Sequence, residues 1–185
     1  MQDPRTVVAE RIVEIILRDV LDGLRETDGK NRSPRIDSFN KRVGAPMGSP
    51  YCASAAWCAI DDACKELGLK NPVPPTAWSQ SFRKTSFVPK KYIRQQGETA
   101  KIGDAAIFQV IGNPGSGHYA TVSEDQRVQP KFVTLEYNTD GSGSRDGDGA
   151  YGMVRSTIGP AGNKVFLCFT DIPQWVVDHN KLLTS

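Results

Sequence analysis

GSPYCASAAWC, residues 48–58, joins a short turn to the start of a predicted apolar helix. Gly48, Ser49 and Pro50 favour the turn, and the alanines that follow favour the helix. Cys52 therefore falls in the first helical turn. Backbone N–H groups there lack helical partners, and the positive end of the helix dipole stabilises negative charge, so a thiol at this position favours its thiolate form. Cys52 is thus a candidate nucleophile, provided that the chain supplies a base.

The cysteines that follow Cys52 have a different setting. Cys58 and Cys64 come at steps of six residues in the same predicted helix, and each such step turns a side chain by about 240° around the helix axis. The three thiols therefore face different directions, so they neither pair readily nor share a metal. We expect Cys58 and Cys64 to pack as small apolar side chains. Because the chain has no C-x-x-C motif and no zinc-ligand spacing, we expect no metal and no other cofactor.

A histidine and two orienting groups complete the candidate site. His118 is one of two histidines, follows a Gly-rich turn and opens a predicted strand, which places it at the rim of a sheet, facing a cleft. Glu136 and Asn138 are two residues apart on the next predicted strand, so they share one face of it. A Cys–His pair needs a third group that holds the imidazole in the right tautomer. Glu136 and Asn138 both suit that role, and the choice between them stays open.

The chain as a whole predicts one α+β domain. It has 185 residues, of which 38% are hydrophobic and 24% charged, which is enough for one sizeable core. Helical patterns cover residues 6–26, 34–43 and 52–67, and strand patterns cover 105–110, 118–122, 132–138 and 165–169. Helices that precede antiparallel strands favour the α+β class. We expect one catalytic domain over 1–185, made of an N-terminal amphipathic helix within 1–27, a core over 28–170 and a tail over 171–185 that forms a last short helix.

Composition and charge argue against several function classes. The net charge is +2, and no dense Lys/Arg stripe interleaved with aromatic residues is present, so we expect no nucleic-acid partner. No run approaches the roughly 18 apolar residues of a membrane helix, so we expect no membrane insertion. The N-terminal apolar stretch is interrupted by charged residues, which favours an amphipathic helix over a secretion signal. We therefore expect synthesis in the cytoplasm without a signal peptide.

Several segments, in order, resemble the CHAP domain, the Cys/His-dependent amidohydrolase/peptidase family of wall-cleaving enzymes. Residues 51–58 resemble its nucleophile segment, with Tyr51 where a tryptophan is common. Residues 101–108 resemble its strand with a Gly-Asp turn, and residues 117–122 its histidine strand. Residues 135–139 and 144–151 resemble its EGN segment and Gly-rich hairpin, with Tyr137 where glycine is usual, and residues 31–34 resemble a turn of some endolysin members. Together these segments cover most of residues 25–170.

This resemblance implies a fold, a mechanism and a substrate. The fold would be papain-like, of the CHAP and NlpC/P60 type, with N-terminal helices packed on an antiparallel sheet. Cys52 would be the nucleophile, His118 the general base, and Glu136, Asn138 or both would orient the imidazole. The substrate would be an amide bond of bacterial peptidoglycan, cut after release or delivery of the protein to the cell wall, as by a phage endolysin. The Gly-rich stretch 141–149 fails the spacing of a calcium loop, and we expect it to form a rim of the cleft.

Three other functions stay open. The chain could be an antibacterial effector amidase, delivered by a secretion machine and restrained by an immunity protein. It could be a wall-binding module that keeps the fold without catalysis, or a cytosolic amidase for a small glutathione-like amide. Within peptidoglycan, the glycan–peptide amide, a bond of the stem peptide and a cross-link are all open.

Overall fold

The computed structural model describes residues 2–95, 97–141 and 147–184. Its helices are α1 (Pro4–Leu21), α2 (Pro34–Arg42), α3 (Cys52–Glu66) and α4 (Ile172–Thr184), and short 3₁₀ turns cover Ser79–Arg83 and Lys90–Tyr92. Its strands are β1 (Ile93–Arg94), β2 (Ala105–Val110), β3 (Asn113–Val122), β4 (Lys131–Thr139), β5 (Gly149–Ser156), β6 (Pro160–Ala161) and β7 (Lys164–Thr170). Within these ranges, no helix has both the length and the apolar character that crossing a bilayer requires.

The first helix is shorter than its hydrophobic pattern predicts. The side chain of Asp3 accepts a hydrogen bond from the Thr6 N–H at 3.3 Å, which fixes the helix start. The expected helix over 6–26 is wrong at its end, because Gly23 takes a left-handed conformation with φ of 67°. The chain then runs beside β5, and the Ala150 N–H donates to the Leu24 carbonyl at 3.2 Å. Leu24, the one apolar residue of the predicted helix after Leu21, therefore lies in a segment that pairs with a strand rather than in the helix.

The strands form one antiparallel sheet in the order β1-β7-β2-β3-β4-β5, with β6 paired to β7. Helices α1 and α3 pack together and contact β4, and the predicted α+β class is confirmed. The sequence did not predict β5, whose first residue, Gly149, is the last residue of the expected Gly-rich rim. Residues 142–146 of that rim, which include residues 144–146 of the segment 144–151 in the CHAP resemblance, lie outside the described residues.

Two apolar clusters fill the two faces of the sheet. The cluster on the helix side includes Ile12, Phe39 and Tyr137. The second cluster includes Phe108, with Ala120, Val122, Phe132, Phe166 and Phe169. His118 pairs with Phe108 in the β2–β3 register, and Glu136 pairs with Ala120 in the β3–β4 register. Because cross-strand partners share a face, both candidate site residues lie on the face of the second cluster.

The strand that carries His118 begins earlier than predicted. His118 does not open its strand, because β3 starts at Asn113 and pairs with β2 through a register shift after Gln109. Gly117 makes this possible, since its backbone passes directly against the side-chain amide of Gln80 and the carbonyl oxygen of Phe108. Local sequence shows the turn residues but not this long-range approach, which is why the expected boundary was wrong.

Gly117→Ala is expected to destabilise the fold by about 2 kcal/mol or more, because its methyl group has no room beside Gln80 and Phe108. Gly115→Ala is the matched control, since its methyl group would meet only the Asn113 side chain, at 3.5 Å. Urea unfolding of both variants checks this. Equal midpoints for the two variants would contradict the close approach at Gly117.

Candidate active site

Cys52 lies at the first position of α3, where the sequence places it. Tyr51 forms the helix cap without a side-chain hydrogen bond. The Tyr51 N–H donates instead to Oδ1 of Asn138 at 2.9 Å. Asn138 is fully buried and takes a left-handed backbone conformation with φ of 57°, which orients its amide towards the helix start. The nucleophile helix is thereby attached to β4.

The second helix also holds the start of α3. Ser54 Oγ donates to Oδ1 of Asn40 at 2.7 Å, and the Asn40 amide donates to the Ser49 carbonyl at 3.0 Å. Ser54 and Asn40 are both fully buried. The turn before Cys52 and the first turn of α3 are therefore fixed by one buried asparagine, in addition to Asn138.

His118 lies between a carboxylate and a thiol. Its Nε2 is 2.8 Å from Oε2 of Glu136, and both side chains are buried. Its Nδ1 makes no hydrogen bond of standard geometry within the described residues. The Cys52 side chain interacts with the same imidazole and shifts its pKa. Since Glu136 occupies Nε2, Nδ1 is the ring nitrogen that is left for Cys52.

The charges in this row support one another. Burial lowers the pKa of His118, but the interactions with Cys52 and Glu136 outweigh burial and raise the pKa above its ordinary value of 6.5. Burial raises the pKa of Glu136, but Arg155 and His118 outweigh it and hold the pKa well below its ordinary range. An ionised carboxylate thus stabilises an imidazolium, and an imidazolium stabilises a neighbouring thiolate.

The sequence missed two residues that hold Glu136. Arg155 of β5 donates from Nε to Oε1 at 2.6 Å and from Nη2 to Oε2. Thr134 Oγ1 donates to Oε1 at 2.6 Å. Thr134 is two residues before Glu136 on one strand, a spacing that signals a shared face. Arg155 had no such signal, because its strand was not predicted.

Of the four predicted site residues, three form one row and the fourth stands beside it. Cys52, His118 and Glu136 follow one another through the contacts described above. Asn138 accepts the Tyr51 N–H. This geometry assigns the imidazole contact to Glu136 and the helix contact to Asn138.

A cleft of about 360 Å³ opens beside Cys52. Its lining includes Ser49, Pro50, Trp78 and residues 115–117. The Trp78 indole is held in place because its Nε1 donates to the Gly115 carbonyl at 2.7 Å. No lining residue among those described carries a charged side chain. The cleft therefore offers backbone groups, serine hydroxyls, the Cys52 thiol and one aromatic ring to a ligand.

The other cysteines are buried thiols. Cys58 and Cys64 lie in the helix-side core, as the sequence predicts. Burial raises the pKa of each to about 12, and it raises the pKa of Cys168 to about 11. None of the four cysteines forms a disulfide.

Iodoacetamide at pH 7 is expected to modify Cys52 at least about 100-fold faster than the other three thiols, because thiolates are the reactive species and the other three have raised pKa values. Tryptic mapping of the folded protein by mass spectrometry measures the rates. His118→Ala should slow the labelling of Cys52 and leave the other three unchanged. Labelling of Cys58 at the rate of Cys52 would contradict the assignment.

Within the described residues, no group of three or more His, Cys, Asp or Glu side chains is arranged to hold a metal ion. Comparison of the chain with protein-family models, with curated proteins and with solved structures finds no match.

Proposed function

We propose that this chain is a cysteine-dependent amide hydrolase of the papain-like, CHAP-like type. Cys52 is the nucleophile, His118 the general base and Glu136 the orienting group. The observation that carries the proposal is the contact of 2.8 Å between His118 Nε2 and Glu136 Oε2, with Cys52 at a helix N-terminus on the other side of the ring. An antiparallel sheet that carries the base, and a helix that presents the thiol to it, support the papain-like assignment.

The reaction follows from which ring atom faces which group. The Nε2–H of His118 donates to Glu136, so Nδ1 exchanges protons with the thiol. The Cys52 sulfur attacks the carbonyl carbon of the amide and forms a C–S bond. The backbone N–H of Cys52, at the helix start, stabilises the oxyanion. His118 then gives its Nδ1 proton to the amide nitrogen as the C–N bond breaks, and a free amine leaves.

Water completes the cycle. The thioester on Cys52 is attacked by a water molecule, whose proton passes to Nδ1 of His118. A C–O bond forms, the C–S bond breaks, and the proton on His118 restores the Cys52–imidazole pair. The products are one amine and one carboxylate, so the reaction is a hydrolysis without net oxidation or reduction.

The proposed substrate is an amide bond of bacterial peptidoglycan. The segments around Cys52, His118 and Glu136 resemble wall-cleaving enzymes, and a cleft with an uncharged lining opens beside Cys52. An endolysin-like setting fits this substrate, in which the protein reaches the wall after release or delivery. Asn138 supports catalysis in this proposal by holding the helix of the nucleophile rather than by contacting the imidazole.

Digestion of purified sacculi tests the proposal. The wild-type protein should release soluble fragments with new amino groups and without new reducing sugar ends, since an amide and not a glycosidic bond is cut. Mass spectrometry of the fragments identifies the bond. Sacculi that sediment with the protein but release no fragments would favour a binding module, and hydrolysis of glutathione-like amides alone would favour a small-amide amidase. Either outcome would overturn peptidoglycan hydrolysis.

A further inference from the structure

Arg155 is a buried cation beside the candidate active site, and the mechanism above gives it no role. It lies on β5, the strand outside β4, and its side chain is 5% exposed. We propose that Arg155 is a positioning residue that keeps Glu136 ionised and aligned for His118, an inference that rests on the proposed function. Arg155 acts through the carboxylate and not on the substrate.

The hydrogen bonds around Glu136 leave one orientation open to it. Oε1 accepts from Thr134 Oγ1 and from Arg155 Nε, each at 2.6 Å. Oε2 accepts from Arg155 Nη2 and lies 2.8 Å from His118 Nε2. A guanidinium that binds both oxygens in this way fixes the plane of the carboxylate. The imidazole is therefore aligned by a chain of contacts that begins at Arg155.

The ionisation of Glu136 needs a cation because its side chain is fully buried. A carboxylate without a partner in such a place takes up a proton rather than remain charged. The charged groups that act on Glu136 are Arg155 from β5 and His118 from β3, with Cys52 from α3 on the far side of the imidazole. Arg155 is the permanent charge among them, since the other two titrate during the reaction.

Removal of Arg155 should therefore change the pH dependence of Cys52 alkylation. A protonated Glu136 no longer stabilises the imidazolium, so Cys52 loses the positive charge beside it and its thiolate forms only at higher pH. In Arg155→Met the onset of Cys52 alkylation by iodoacetamide should move up by at least about one pH unit, the shift expected when a thiolate loses an opposite charge beside it, here the imidazolium. Arg155→Lys should show a smaller shift than Arg155→Met, since it keeps the charge without the bidentate geometry.

A second buried arginine supplies the control. Arg94 pairs with the buried Asp104, and its side chain is 13% exposed. Arg94→Met should lower the melting temperature without moving the alkylation onset. If Arg155→Met does not fold, Thr134→Val replaces it, because it removes one hydrogen bond to Oε1 and no charge, and should give a smaller shift in the same direction.

The alkylation readout needs no substrate, so it separates this inference from the proposed function. An unchanged onset in folded Arg155→Met, or in Thr134→Val where Arg155→Met does not fold, would overturn the positioning role. A shifted onset in a protein that leaves sacculi and small amides intact would support the positioning role and overturn amide hydrolysis.

Discussion

Cys52→Ala is expected to lower the rate of amide hydrolysis by at least about a thousandfold, because the thioester cannot form without the thiol. The release of new amino groups from sacculi measures the effect. The substitution removes only the sulfur of a side chain that is 5% exposed, so the variant should fold and still bind sacculi.

Cys64→Ala is the control for the loss of a thiol. It is the same substitution in the same helix, at a side chain 1% exposed in the core. It should cost stability, as removal of buried atoms does, and leave the rate per folded molecule unchanged. Full activity in Cys52→Ala would eliminate the cysteine mechanism, whatever the control does.

Glu136→Gln is expected to destabilise the protein by about 3–5 kcal/mol, because it leaves Arg155 as a buried charge without its counter-charge. The new amide also turns an NH₂ group towards donors of Thr134, Arg155 or His118, where a carboxylate oxygen now accepts. Urea unfolding at pH 7 measures the effect. Glu124→Gln is the control, since its pair with Arg127 is exposed and 3.8 Å long, and should change stability by less than about 0.5 kcal/mol.

The pH dependence of this effect has a definite sign. The folded pKa of Glu136 lies below its ordinary value of 4.5, so its contribution to stability is fully present above pH 4.5 and decreases as the pH falls below it. The difference in the free energy of unfolding between the wild type and Glu136→Gln should therefore become smaller at acid pH. The double variant Glu136→Leu/Arg155→Met should recover most of the loss at pH 7, because it removes both buried charges. A double variant that is as unstable as Glu136→Gln would contradict the buried-charge explanation.

The parts of the site that depend on local sequence were predictable. The turn before Cys52 and the alanines after it determine a helix start within a few residues, and the structure has α3 begin at Cys52. Glu136 and Asn138 were recognised as alternatives, but alternation alone cannot choose between them. The choice depends on the left-handed backbone of Asn138 and on the register of β3 with β4.

The parts that depend on strand pairing were not predictable. The start of β3 at Asn113 follows from its pairing with β2 and from the contact of Gly117 with Gln80. Arg155 meets Glu136 only because β5 pairs with β4, with Phe132 opposite Arg155. The hydrophobic pattern is weak in β5, where exposed and buried positions are mixed, Gly149 opens the strand and Gly152 interrupts it. Long-range pairing therefore decides which charges meet.

One strand, β4, positions both the histidine and the nucleophile helix of the candidate active site. β4 carries Glu136, which contacts the imidazole, and Asn138, which contacts the Tyr51 N–H at the helix start. The distance between the thiol and the base therefore depends on the spacing of these two residues along one strand. A residue inserted or deleted between Glu136 and Asn138 would change that distance directly, whereas a shift of the whole strand would move both contacts together. The spacing of Glu136 and Asn138 therefore fixes where the imidazole lies relative to the start of the helix that carries Cys52.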